Sequence, residues 1–161
     1  MCVIRSNNTD IKIVIPNFIN KKLMKYKQVG KHSVESCGIL IGTHSLDGKK
    51  IEIRHITEPS SKDIRKKYFF KMNSQFHQKK LNEIFIESGN ECVYLGTWHT
   101  HPEKIPTPSK CDINDWKKQY NKNKKLFDKM CFMIIGQTSK IIWMINDNGI
   151  TKLPRENIIY E

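Results

Sequence analysis

The sequence predicts a mixed α/β domain whose sheet is mostly antiparallel and flanked by helices. Three features predict it: apolar runs of strand length, longer segments with apolar residues at helical spacing, and short turn sequences such as "LDGKK". The chain has 161 residues, which suits one domain with a proper hydrophobic core and is short for two. We therefore expect a single domain over residues 1–161.

Strands and helices alternate along the chain, with the buried runs separated by polar or glycine-containing turns. The strands are expected in "DIKIVIP", "CGILIGTHS", "IEIRHITEP", "ECVYLGTWH", "MCFMIIG", "KIIWMIND" and "GITKLP". The helices are expected in "NFINKKLMKYKQVGKHS" with Gly30 as its stop, over residues 76–88, and in "SKCDINDWKKQYNK" with Ser109 or Asp112 as its cap. Residues 59–76 are basic and are expected to be irregular.

Composition indicates a folded protein of a reducing compartment. Hydrophobic residues make up 38% of the chain, and the longest apolar runs, "CFMII" and "IIWMI", are far too short to span a membrane. The N-terminus "MCVIRSNNTD" lacks the apolar run and cleavage site of a signal peptide. The five cysteines form an odd set without a CxxC pair, so neither a disulfide framework nor a thiolate zinc finger is expected. We expect a cytoplasmic protein.

The net charge of +12 raises the question of an acidic partner. Basic residues gather in residues 21–31, 62–71 and 117–129, which is compatible with nucleic-acid binding or with an acidic protein partner. No RNP, zinc-finger or helix-turn-helix signature accompanies the charge. We therefore expect no specific nucleic-acid binding.

The segment "WHTHPEKIPTPSKCD", residues 98–112, is compatible with a polar surface loop or with a metal site. Residues two apart on a strand point the same way, so His99 and His101 can face one metal ion, while Trp98 points into the core. Asp112 can supply a third ligand from the start of the next helix, and prolines would stiffen the loop between them. Two histidines and a carboxylate are typical of a catalytic zinc site with an open position.

Two further residues extend the metal hypothesis, although each alone has a simpler interpretation. Ser109 by itself is typical of a helix cap, and Glu35 by itself is typical of a surface acid. Glu35, however, stands just ahead of the predicted buried strand "CGILIG", which is expected to run beside the histidine strand. It is therefore placed to act as the base that a zinc-bound water needs.

Together these residues resemble the JAMM (JAB, MPN+) metalloprotease family, whose pattern is an upstream glutamate followed by H-x-H-x7-S-x2-D. The segments "ESCGILIG" and "GTWHTHPEKIPTPSKCD" reproduce this pattern without a missing position or an altered spacing. The resemblance implies a JAB/MPN domain with a cytidine-deaminase-like fold. It also implies one zinc per chain held by His99, His101 and Asp112, with Glu35 as the catalytic base and Ser109 holding the oxyanion.

Within the family, the chain is most similar to a bacterial branch found in CBASS anti-phage operons. This likeness implies a deconjugating peptidase or isopeptidase. Its substrate would be a ubiquitin-like or conjugated protein with an extended C-terminal tail, most simply a cyclic-nucleotide synthase joined to a target protein. An E1/E2-like transferase is the expected functional partner. The alternative is a non-catalytic MPN-type scaffold, although such domains usually lack a ligand or the glutamate.

Several secondary expectations complete the sequence-based picture. The leucine and glycine positions of the "CGILIG" strand are expected to line the groove in which the substrate tail adds as a strand. Residues 62–71 either line the substrate groove or form a solvated loop. Cys111 is expected to be a packed or surface thiol rather than a ligand, and the remaining histidines are expected at the surface: His32, His44, His55 and His77.

Overall fold

An eight-stranded sheet forms the centre of the protein, whose residues 10–161 are described by a computed structural model. The strands are β1 (Lys12–Ile15), β2 (Cys37–His44), β3 (Lys50–Ile56), β4 (Ile64–Lys66), β5 (Phe69–Lys71), β6 (Val93–Thr100), β7 (Lys129–Ile135), β8 (Lys140–Asn146), β9 (Gly149–Lys152) and β10 (Ile158–Tyr160). The helices are α1 (Asn17–Met24), α2 (Ser74–Glu87) and α3 (Lys110–Asn123), with a 3-10 turn at Arg155–Asn157. Every strand and helix expected from the sequence is present.

The order of strands in the large sheet is β10-β1-β3-β2-β6-β7-β8-β9. Strand β1 is parallel to both β10 and β3, and β6 is parallel to β7, whereas the other neighbouring pairs are antiparallel. The predicted fold class, a mixed and mostly antiparallel sheet with flanking helices, is therefore confirmed. Strands β4 and β5 form a separate two-stranded hairpin, called the flap hairpin below.

Both faces of the large sheet are covered by apolar side chains. Strand β7 is buried along its whole length, as expected of a central strand with both faces covered. Its alternate residues belong to different clusters: Met133 packs with α1 residues, whereas Phe132 stacks on Trp116 of α3 with ring centroids 5.0 Å apart. Trp98 is fully buried in the first cluster, which confirms the prediction that it is a core residue.

Three features of the fold differ from the expectations. Helix α1 ends at Met24 and not near Gly30, and Tyr26 then packs against Trp98 with ring centroids 5.4 Å apart. Residues 59–76 are not wholly irregular, because they include the flap hairpin. Strand β10 was not predicted; its three residues pair with the distant β1. Short strands carry little periodicity, and their partners supply most of their stability.

Four of the five cysteines lie in the described residues. Cys37, Cys92, Cys111 and Cys131 are free thiols, while Cys2 and most of the N-terminal segment assessed for a signal peptide lie outside the described residues. Over residues 10–161, no helix combines the length and the apolar character needed to cross a membrane.

Gly38 of β2 generates a stability prediction. A Cβ atom at this position would lie 2.0 Å from the Thr57 carbonyl oxygen and 2.6 Å from the Trp98 indole nitrogen. Gly38→Ala should therefore lower the free energy of unfolding by about 1–3 kcal/mol, the usual cost of overpacking. Urea denaturation measures the change. Gly30→Ala is the control, because nothing lies within 4 Å of its added Cβ; equal stability of the two variants would contradict the prediction.

Candidate metal centre

Strand β6 carries both histidines of the motif on one face. His99 and His101 are 1% and 8% exposed, and their Nε2 atoms lie 3.0 Å apart. Trp98 faces the opposite side of β6 and lies in the core. Its indole nitrogen donates a hydrogen bond to the Thr57 carbonyl (3.0 Å). The alternation of the strand thus separates the ligand side from the core side, as predicted.

The start of α3 brings Asp112 to the two histidines. Ser109 is the N-cap, and its hydroxyl accepts a hydrogen bond from the Asp112 backbone amide (3.1 Å). The Asp112 carboxylate accepts one from the Ser109 amide (2.6 Å), which completes a capping box. The same carboxylate has Oδ1 at 3.3 Å from His99 Nε2 and Oδ2 at 3.4 Å from His101 Nε2. Helix capping therefore also orients the third candidate ligand.

The proline loop between the strand and the helix is anchored to the end of β7. Gln137 donates a backbone hydrogen bond to the Glu103 carbonyl (2.7 Å), and Thr138 donates one to the Lys104 carbonyl (3.0 Å). Gly136 permits this approach, since a Cβ there would lie 2.6 Å from Pro106 Cδ. The loop is held by backbone contacts as well as by its prolines.

The donor set fits a zinc ion. His99, His101 and Asp112 form a cluster in which each residue offers one ligand atom. Zinc bonds of about 2.0–2.2 Å at tetrahedral angles place neighbouring ligand atoms roughly 3.3 Å apart. The distances of 3.0, 3.3 and 3.4 Å between the imidazole and carboxylate atoms match this spacing. Three protein ligands leave one position open, as in catalytic rather than structural zinc sites.

The electrostatics favour the protonation state that a metal ligand requires at His99 and Asp112, but not at His101. Burial lowers the pKa of His99, so its imidazole is neutral. Burial alone would raise the pKa of Asp112, but the hydrogen bonds from His101 and His99 dominate and hold it well below its usual range. For His101, burial would lower the pKa, yet the hydrogen bond and negative charge of Asp112 raise it. Metal binding displaces the protons that otherwise mediate these contacts.

Glu35 lies immediately before β2, which pairs with the histidine strand as predicted. The register places Cys37 opposite His99, so Glu35 lies beyond that pair, on the side of His101. The side chain is buried (5% exposed), and its amide donates a hydrogen bond to the Lys66 carbonyl of the flap hairpin (2.9 Å). Burial raises the pKa of the Glu35 carboxyl to about 7, partly opposed by the positive charge of His101.

A groove of about 1050 Å³ runs over the cluster. Its polar part is lined by Glu35, His101, Ser109 and Asp112, so the structure brings Glu35 and Ser109 to the candidate metal centre. Its remaining walls are largely aromatic and apolar; they include Ile39, Tyr68, Phe69, Phe70, Leu81, Tyr94, Trp116, Leu126 and Phe127. The groove has room for an extended peptide next to the cluster.

Comparison with known proteins identifies the family of this chain. A sequence family described as prokaryotic homologs of the JAB domain matches residues 21–146. The chain belongs to the prokaryotic JAB family. This confirms the resemblance found in the sequence, and the architecture is that of a JAB domain.

Two relatives from this comparison are each named CD-NTase/cGAS isopeptidase. The protein of Escherichia coli (strain TW11681) is 35% identical over 151 residues, covering 92% of both chains. That of Vibrio cholerae serotype O1 is 33% identical over 138 residues, covering 86% of this chain and 83% of its own. The solution structure of DSY2949 from Desulfitobacterium hafniense has a TM-score of 0.61 and 18% identity over 92% of both chains, and it shows the fold alone.

Two further residues lie near the candidate ligand cluster. Phe70 of the flap hairpin packs against His99, with ring centroids 4.9 Å apart. Glu103 lies with its carboxylate 3.9 Å from His101 Nδ1 and also accepts a hydrogen bond from the Thr107 amide (2.9 Å). A carboxylate hydrogen-bonded to the second imidazole nitrogen orients a ligating histidine, but the 3.9 Å separation here is longer than a hydrogen bond. Phe70 lies in the segment 62–71, for which groove lining was one of the two expectations. Glu103 was not singled out, although its position two residues after His101 was a usable signal.

The prediction that the remaining histidines lie at the surface is wrong for His77. His77 is 3% exposed: its Nδ1 lies 2.6 Å from the Thr57 hydroxyl, and its Nε2 lies 3.1 Å from Asp63. His44 is half-buried, whereas His32 and His55 are exposed. The helical spacing of α2 contained the signal, because His77 and Leu81 are four residues apart on one face.

Two other expectations are settled by burial and pairing. Cys111 is an exposed thiol in the groove wall and is not part of the three-residue cluster, as expected. The expectation that the leucine and glycine positions of the "CGILIG" strand line the groove is wrong, because only Ile39 of this strand does so, and β2 is an interior strand with no free edge for a tail. It pairs with β6 over Cys37–Gly42 and with β3 over Leu40–His44, and Ile39 exchanges hydrogen bonds with Thr57.

The cluster predicts the metal content of the purified protein. About one zinc per chain should be retained after purification without chelator, because three convergent ligands bind the ion tightly. His101→Ala should lose most of it. Elemental analysis of both proteins measures the ratio, and His55→Ala, which changes an exposed histidine, should keep its zinc. A wild-type protein without bound metal would contradict the assignment.

Proposed function

We propose that this chain is a zinc-dependent isopeptidase of the JAMM type. It would hydrolyse the bond between the C-terminus of a conjugated protein and its target. The observation that carries the proposal is the position of Glu35, a buried carboxylate that is not one of the three clustered ligands yet lines the same groove. A scaffold or a purely structural zinc site has no use for such a group.

The proposed roles follow from the chemistry of each side chain. His99, His101 and Asp112 would hold the zinc ion, which supplies Lewis-acid polarisation of a carbonyl and makes water a stronger acid. The Glu35 carboxylate would take a proton from the attacking water and deliver it to the nitrogen of the leaving amine as the carbon–nitrogen bond breaks. A pKa of about 7 suits a group that must both accept and return a proton.

Ser109 is proposed to stabilise the carbonyl oxygen as negative charge develops on it. Its oxygen accepts the capping hydrogen bond from Asp112, so the hydroxyl hydrogen is available to a ligand in the groove. The cap holds the hydroxyl oxygen in place before substrate arrives. Preorganised donors of this kind contribute about 10²–10³ to the rate.

The substrate class is inferred from the relatives and from the groove. The relatives are named CD-NTase/cGAS isopeptidase, which supports a cyclic-nucleotide synthase as the conjugated protein and a role in CBASS anti-phage defence. The groove supports a peptide tail, because a polar catalytic part is continuous with an apolar wall. An E1/E2-like transferase that forms the conjugate is the proposed functional partner, and cytoplasm the proposed location.

Replacement of the proposed base tests catalysis directly. Glu35→Gln keeps the size of the side chain, but an amide cannot accept the proton of water. The variant should retain its zinc while cleavage of a lysine-linked conjugate falls by about 10²–10⁴. The measurement is gel-based cleavage, with zinc determined on the same samples. Glu87→Gln, an exposed change on α2, is the control. Equal cleavage by wild type and Glu35→Gln would exclude Glu35 as the base.

Charge reversal on the flap hairpin tests how the substrate is recruited. Lys66 and Lys67 are exposed on the hairpin whose Lys71 lines the groove. The double change to glutamate should raise KM for a protein conjugate several-fold with little change in kcat, because exposed charges act mainly on encounter. The same change at Lys117 and Lys118, exposed on α3, is the control. A KM unaffected at low salt would remove Lys66 and Lys67 from substrate recruitment.

A further inference from the structure

We propose that Arg65 of the flap hairpin is a positioning residue for Glu35; the inference rests on the proposed function of Glu35 as the catalytic base. Arg65 donates a hydrogen bond from Nε to the Glu35 carbonyl (2.7 Å) and another from Nη2 to the Ser36 hydroxyl (2.6 Å). In return, the Glu35 amide donates to the Lys66 carbonyl (2.9 Å). Glu35 and Ser36 are therefore joined to the flap hairpin by three hydrogen bonds.

The contacts of Arg65 hold Glu35 without pairing the guanidinium with its carboxylate. Both Arg65 hydrogen bonds go to a backbone carbonyl and a neighbouring hydroxyl rather than to the Glu35 carboxylate. A guanidinium can make two such bonds at once because its donors form a rigid fork, and charged donors make the stronger hydrogen bonds. The carboxylate itself stays free to face the groove.

A buried polar ring extends this contact to the ligand strand. The Ser36 amide donates to the Thr100 hydroxyl (2.9 Å), and Thr100 donates to the Gln28 side-chain oxygen (2.9 Å). The Gln28 side-chain nitrogen then donates to the Lys67 carbonyl (3.1 Å), which returns the ring to the hairpin beside Arg65. Thr100 stands between the two candidate histidine ligands. The ring therefore fixes base and ligands relative to one another.

The hairpin also touches the ligand cluster from its other strand. Phe70 lies directly opposite Arg65 in the antiparallel pair, and side chains of opposite residues project on the same face. On that face Arg65 holds the base segment, while Phe70 packs on His99. The pair Arg65 and Phe70 therefore connects the flap hairpin both to Glu35 and to His99.

The test compares Arg65→Ala and Arg65→Lys with wild type. Loss of the fork should lower kcat about tenfold to hundredfold, the cost of a displaced catalytic group, with KM and zinc content changed less than twofold. Lysine keeps the charge but makes only one of the two bonds, so Arg65→Lys should show most of the loss. The control is Arg54→Ala, which removes an arginine paired at the surface with Glu52 and Glu91.

Two further readouts separate positioning from general stability. In a Glu35→Gln background, Arg65→Ala should cause no further loss of residual cleavage, because its effect passes through the base. Hydrogen exchange by mass spectrometry should show faster exchange of residues 33–38 in Arg65→Ala than in wild type, and no change in Arg54→Ala. Additive losses, unchanged kcat, or unchanged exchange of this segment would each overturn the proposal.

The exchange measurement also distinguishes the two hypotheses. If wild type cleaves no conjugate but residues 33–38 lose protection in Arg65→Ala, the proposed activity fails and the clamp on this segment stands. If wild type cleaves and the Arg65 variants match it in kcat, the positioning role fails and the proposed activity stands.

Discussion

The antiparallel pairing of β2 with β6 is the constraint on which the candidate site depends. It places Cys37 opposite His99 and Gly38 opposite Trp98. The absence of a side chain on Gly38 lets the Trp98 indole reach the Thr57 carbonyl, which bonds the far side of β6 to the end of β3. A shift of one residue in this register would turn both histidines into the core and Trp98 into the groove. The pairing therefore decides which face carries the chemistry.

Helix α3 supplies Asp112 to the site one helical turn before the buried Trp116. Asp112 and Trp116 are four residues apart and lie on the same side of the helix. Trp116 stacks on Phe132 and packs against Trp143, so an apolar contact with the sheet sets the distance at which the helix stands. The carboxylate one turn earlier then reaches the histidines. The apolar cluster under α3 thus positions Asp112 in addition to stabilising the sheet.

Much of the fold and of the ligand cluster was predictable, and the flap hairpin was not. The periodicity of apolar residues predicts the long strands and helices. His99 and Asp112 are close in sequence, so local chain geometry sets the spacing between them. Strands β4 and β5 have three residues each, so alternation is barely visible in them. The contacts of Arg65 and Gln28 join segments separated by 29 to 72 positions, and no local pattern reports such pairings. The burial of His77 likewise depends on Asp63, whose carboxylate also accepts hydrogen bonds from the Ser60 and Asn73 amides.

Over the described residues, the groove contains four carboxylates although the protein is basic. Glu35, Glu103, Asp112 and Asp115 all line the groove, although the chain as a whole carries a net charge of +12. The groove lining also includes Lys71 and Lys122, whereas the exposed Lys66 and Lys67 lie outside it. Lysines therefore lie both on the groove wall and outside it, and an acidic protein surface would be attracted to both. The carboxylates are thus a local feature of the groove near the histidine cluster and do not reflect the charge of the chain as a whole.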